Sequence, residues 1–364
     1  MFSQVNLCYR TSGLRVNEST PMRLAWFRSL RSLSDNRCGF TMPLIDLLRR
    51  RHAIEVIDEL HVADAIAEYR RGGYDLCVYE LDNTAAGAWM WPCLLTQPGL
   101  TLLLNSILVT SRAEALARER RSGQPQIERT FKGRGNWPLL QLPLLASRAV
   151  AVPHRGLATL LAQEYPDARV RTLELPCPLP LEVPSRSPSD ELTIGCLDPS
   201  PVIRAVVERA VTRARHIGVS VTLLADTDAR KTIQNSDIVL DLQWPLHGRP
   251  LTGAMTVMGA GRVPIVFDTL ESADWPAYNP QTWQRRDAAD GRSPVCISID
   301  VRDEEHSLVL CIRRLAVDPE LRRGIGTAAH DWWQAHGAPE NTVPQFEQLL
   351  EEARHSPDPP SATR

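Results

Sequence analysis

The segment WPLHGRPLTGAMTVMGAGRVPIVFD, residues 244–268, reads as a loop, a helix of small residues and a buried strand. Gly248, Thr252 and Gly253 stand where the chain enters that helix. Small side chains there let backbone approach a ligand, and the first N–H groups of a helix, with its dipole, attract phosphate. The charged side chain of the loop is Arg249. A guanidinium carries donors and no acceptor, so it can pair with phosphate but cannot accept a proton from a sugar hydroxyl. Arg249 either turns toward phosphate or faces solvent. Pro250 stiffens the loop beside it and favours solvent.

Other reactive groups are sparse. His154 ends a strand-like run, His247 lies in the loop before the small-residue helix, and both read as structural or surface histidines. No HxxxH or HxH spacing exists among the 9 histidines, so no metal site is indicated. The 8 cysteines form no CxxC pair, and several sit inside apolar runs such as YDLCVYEL. They read as buried free thiols in a reducing compartment. No GxGxxG follows the first strand and no GxxxxGK[ST] occurs, which argues against dinucleotide-dependent and P-loop chemistry. GRGNWP (133–138) and GIGTAAH (324–330) read as turn and helix-packing glycines.

The elements that must position these groups alternate strand and helix. Strands are expected at 22–27, 54–59, 74–81, 99–105, 148–154 and 170–176, with helices at 42–51, 62–73, 111–121 and 156–165. A proline-rich stretch, PCPLPLEVPSRSPSD, breaks the pattern at 176–190. A second series follows, with strands at 192–198, 219–226, 237–243, 263–268 and 295–300. Its helices fall at 202–217, 252–260, 305–317, 319–335 and 341–354. Near-continuous apolar strands between helices predict parallel, doubly wound sheets. The expected organisation is an N-terminal extension (1–21), a Rossmann-like domain (22–176), a linker (177–190) and a second Rossmann-like domain (191–340). A helix (341–354) and a polar, proline-rich tail (355–364) close the chain. Met22 opens the first convincing strand and reads as the natural start, or residues 1–21 as a loose tail.

The totals fit about two globular domains in 364 residues. A net charge of -2 gives no general pull toward nucleic acid. The 41 basic residues are arginines except Lys132 and Lys231. No run is apolar enough to span a membrane and no signal peptide opens the sequence, so a cytoplasmic location is expected.

Four stretches carry a resemblance. YDLCVYELDNTAAGAWMWPCLLTQPGLTLLLN (74–105), NWPLLQLPLLASRAVAVPHRGLATLLAQEYPDARVRTLELPCPLP (136–180), DIVLDLQWPLHGRPLTGAMTVMGAGRVPIVFD (237–268) and SLVLCIRRLAVDPELRRGIGTAAHDWW (307–333) resemble, in order and spacing, bacterial family 4 glycosyltransferases of the GT-B fold. The resemblance implies an α/β chain of two Rossmann-like domains facing across a cleft. The first domain takes the acceptor, and the second takes a nucleotide sugar. Transfer retains anomeric configuration and uses no metal or cofactor. It also implies a last helix that crosses back onto the first domain.

The sites implied by the resemblance are altered. Gly39 keeps its place in the loop after the first strand, and Gly195 keeps its place on the first strand of the second domain. Pro201 falls where the family has a lysine, and Arg204 lies one turn on as a substitute or as an exposed helix residue. Gly248, Thr252 and Gly253 persist, but Arg249 or Pro250 replaces the sugar-binding Glu, and Val257 aligns with a second acidic position. Leu104 and Asn105 stand for a His-Asp pair, and Cys177 for a His. Two functions are therefore expected. One is transfer from a nucleotide sugar to a glycan, lipid-linked or protein acceptor. The other is a catalytically inactive relative that binds a glycan or a partner such as an active glycosyltransferase.

Overall fold

The computed structural model describes residues 20–29, 40–122, 140–177, 191–224, 228–244, 250–286 and 291–359. Gly39, Gly248, Arg249, His247, residues 178–190 of the linker and nearly all of the N-terminal extension lie outside the described residues.

The first sheet contains β1 (Arg23–Phe27), β2 (Ala53–Ile57), β3 (Leu76–Leu81), β4 (Leu100–Leu103), β5 (Ala149–Val152) and β6 (Val170–Thr172). Its order is β2-β1-β3-β4-β5-β6, and every pairing is parallel. Helices α1 (Thr41–Leu48), α2 (Val62–Arg70), α3 (Met90–Thr96), α4 (Val109–Ser122), α5 (Gln141–Ala146) and α6 (Arg155–Glu164) connect the strands. β3 and β4 are buried along their whole length, because helices cover both faces of a parallel sheet.

The second sheet orders β8 (Val221–Leu223), β7 (Leu192–Cys196), β9 (Ile238–Asp241), β10 (Val263–Phe267), β13 (Cys296–Ile299), β11 (Ala277–Tyr278) and β12 (Arg285–Arg286) side by side. Its pairings are parallel except the short β11–β12 hairpin. Around it lie α7 (Pro201–His216), α8 (Ala229–Asn235), α9 (Thr252–Gly259), α10 (Glu304–Val317) and α11 (Pro319–His336). Sequence periodicity missed α8, although Asp228 caps it by accepting from the N–H groups of Arg230 and Lys231.

The last helix, α12 (Pro339–His355), packs on the first domain. Phe346 stacks on Trp26 with ring centroids 5.5 Å apart, and Leu350 and Ala353 join the same core. Glu347 pairs with Arg51, and Glu352 with Arg171. Where the chain leaves the first domain, the Cys177 N–H donates to the Gly337 carbonyl, and the Trp333 indole donates to the Cys177 carbonyl, both at 2.8 Å. The junction of α11 and α12 thus grips the start of the linker. Of the glycines of GIGTAAH, Gly326 serves packing, since a Cβ there would sit 2.3 Å from the Gly261 carbonyl oxygen, whereas Gly324 has open space around it.

Candidate functional site

Both sheets reverse winding direction at one place, between β1 and β3 in the first and between β7 and β9 in the second. Crevices for ligands open at the carboxyl ends of strands at such points. The two carboxyl edges face each other, because the segment after β10 touches the segment after β5: the Gly156 N–H donates to Asp274 Oδ2 at 3.3 Å.

At the second switch point the chain enters α9 through Leu251, with Thr252 and Gly253 as its first two residues. Their N–H groups have no acceptor among the described residues. The third N–H, from Ala254, donates to Asp241 Oδ2 at 2.8 Å. Asp241 ends β9, is buried, and lies so near that a Cβ on Gly253 would stand 2.8 Å from its carboxylate. Gly253 is therefore small because a carboxylate approaches it. An anion bound at this turn would keep two donors and the helix dipole, and would meet one fixed negative charge.

The neighbouring positions serve the fold. Gly195 lies in β7 paired with Val239, and its missing Cβ would meet Ser236 Oγ at 2.3 Å and a Thr232 methyl at 2.4 Å, so α8 packs directly on it. Pro201 opens α7, where its fixed φ and missing N–H suit a first helical position, and Ser200 Oγ caps the turn by accepting from Ile203 N–H at 3.4 Å. Arg204 is exposed one turn in. Its charge still reaches Cys196, whose thiol burial pushes up to about 12 against the opposing pull of Arg204. Val257 is fully buried among Leu197, Ile233 and Val239, facing core where the family resemblance would put an acid.

The first switch point is sealed. Glu80, buried near the end of β3, accepts from the Trp26 indole and from Thr41 Oγ1, and sits 3.8 Å from the Arg28 guanidinium. Burial raises the Glu80 carboxyl pKa, and Arg28 opposes that rise. Leu104 continues the ladder by donating to Leu81 and packs on the core. The Asn105 side-chain oxygen accepts from Asn83 N–H at 3.1 Å, and Asn83 in turn accepts from the N–H groups of Thr110 and Ser111 at the start of α4. Cys177 is buried at the linker grip described above.

The structure also shows groups that periodicity and motif spacing left out. Asp241, Asp268 and Asp300 stand at the carboxyl ends of β9, β10 and β13, and Asp198, two residues beyond β7, adopts a positive φ of 42°. The signal was present in the sequence, where successive strand runs end in CLD, VLD, VFD and SID.

No protein-family model matches the chain, and no curated protein matches it. Solved structures do. Sucrose-phosphate synthase from Thermosynechococcus elongatus superposes with a TM-score of 0.59 at 12% identity, over 91% of this chain and 98% of that one. Starch synthase IV from Arabidopsis thaliana, solved with ADP and acarbose, gives 0.58 at 11% identity over 92% and 100%. HepE from Anabaena, solved with UDP and glucose, gives 0.56 at 12% identity over 91% and 99%. The chain has the GT-B glycosyltransferase fold. Within GT-B architecture the likeness spans both domains, and among the described residues no helix is long and apolar enough to cross a membrane.

Proposed function

We propose that the chain is a glycosyltransferase of the nucleotide-sugar-dependent class, with the donor on the second domain and the acceptor on the first. The observation that carries this reading is the open first turn of α9 at the second switch point, where Thr252 and Gly253 offer two N–H groups and a helix dipole to a diphosphate. Neutralisation by helix N–H groups and by Arg204 needs no metal or cofactor, and retention of anomeric configuration follows from the same family resemblance. The acceptor is a glycan, a lipid-linked saccharide or a protein. The free thiols of the described cysteines suit a reducing, cytoplasmic setting.

One observation favours a second reading, a catalytically inactive chain that binds a glycan or an active glycosyltransferase. Asp241 already caps Ala254 and repels a diphosphate, while Pro201, Val257, Leu104, Asn105 and Cys177 are all engaged in folding. Calorimetry with UDP, ADP and GDP, and with their glucose conjugates, separates the two. On the first reading one of these binds, Gly253→Trp abolishes binding, and Asp241→Asn tightens it about tenfold, or ~1.4 kcal/mol, by removing one like charge. Silence from both the wild type and a folded Asp241→Asn variant overturns the first reading and leaves the second.

A further inference from the structure

Beyond β10 the chain turns back through Thr269–Trp275 as a short braced loop. Ser272 Oγ donates to the Phe267 carbonyl at 2.7 Å and accepts from Thr269 N–H at 3.2 Å. The Arg286 guanidinium pairs with Asp268, donates to the Ser272 carbonyl and reaches the Trp275 carbonyl at 3.2 Å. So held, the loop presents three side chains to the other domain. Asp274 accepts from the Gly156 N–H in the first turn of α6. The Leu270 methyl lies where a Cβ on Gly156 would approach to 3.1 Å. Glu271 and Asp274 act on His154, the N-cap residue of α6, whose ring is buried and whose Nε2 has no hydrogen-bond partner among the described residues.

Helix α6 receives no side-chain cap from its own N-cap residue. Its cap comes instead from the opposite domain, at the point where the two carboxyl edges meet. An interdomain bond made to a helix N-terminus is charge-assisted, and it is lost as soon as the domains part.

We propose that loop 268–275 and the first turn of α6 form a clasp that holds the cleft closed, and that protonation of His154 releases it. The charged groups acting on the ring are Glu271 and Asp274, both from the loop. Arg155, next in the chain, is exposed on α6. Burial lowers the pKa of the ring below the ordinary histidine value of 6.5, and the two carboxylates and a hydrogen bond with the Glu271 backbone only partly oppose this. In the open cleft the ring regains water and its ordinary value. The open form therefore binds a proton that the closed form refuses, and the clasp is complete above 6.5 and weakens as pH falls below it. This device operates whether or not the cleft transfers sugar.

Small-angle scattering on the full chain tests it, together with hydrogen exchange at the start of α6. Lowering the pH from about 8 to about 5.5 should expand the wild-type radius of gyration and speed exchange at Gly156 about tenfold after correction for the intrinsic rate. His154→Gln should stay compact and protected at both pH values, and Asp274→Asn should be expanded at both. A wild type that keeps its dimensions and protection across the range overturns the clasp. So does a His154→Gln chain that opens as the wild type does. Should His154→Gln fail to fold by circular dichroism, the wild-type series and Asp274→Asn decide: an Asp274→Asn chain as compact as the wild type near pH 8 sinks the proposal.

Discussion

The two switch points share one topology and differ in what fills them. In the first sheet, Arg28 and Glu80 are both buried, and Trp26 and Thr41 complete a sealed polar knot. In the second sheet, aspartates line the strand ends, and two that reach solvent, Asp268 and Asp300, pair with Arg286 and Arg302 at the rim. The turn of α9 beside them has two N–H groups with no acceptor among the described residues. A sealed knot stabilises and positions, whereas an edge with unspent donors can exchange water for a ligand. The contrast is the physical reason the donor is proposed at the second edge.

The largest expected effect comes from the sealed side. Glu80→Ala removes the carboxylate beside a buried guanidinium and should cost about 3–5 kcal/mol, read as a lower urea midpoint for the first domain. An unchanged midpoint would show that water reaches Arg28 and that the two edges are alike. Next, Gly195→Ala forces Ser236 and Thr232 away from β7 and should cost about 1–3 kcal/mol with little change in any ligand affinity, because Gly195 contacts α8. A selective loss of binding at unchanged stability would move Gly195 into the site. The smallest effect lies at the open rim. Hydrogen bonds from Arg302 hold the half-exposed Asp300 carboxyl down at about 2. The contribution of the pair is present above the ordinary value of 3.8 and fades as pH falls toward 2. Carbon-detected NMR titration should find Asp300 back in the ordinary carboxylate range in Arg302→Ala, with no detectable change in unfolding.

Much of the fold is legible in the sequence because helix and strand have different periods. VIRAVVERAVTRARHI repeats every three to four residues and forms α7, and the apolar run at 263–268 forms β10. Helix α8 escaped because ARKTIQN is too short to show a period, although Asp228 before it is a cap signal. Of the site, Thr252 and Gly253 could be placed at a helix start. That Asp241 occupies the third N–H could not, since a carboxylate 13 residues upstream is brought there only when β9 and α9 pack.

The sequence by itself determined the longer strands and helices, that the main strands of both sheets run parallel, and that small residues stand at the entry to α9. Those features follow from local periodicity, helix capping and the burial of continuous apolar runs. Only the tertiary structure decided that Glu80 seals one switch point, that Asp241 takes the third N–H of α9 at the other, that Val257 faces core, and that Asp274 caps a helix 118 residues away in the other domain. Such contacts depend on strand order and domain placement, and these are settled by the packing of whole faces, which no local pattern encodes.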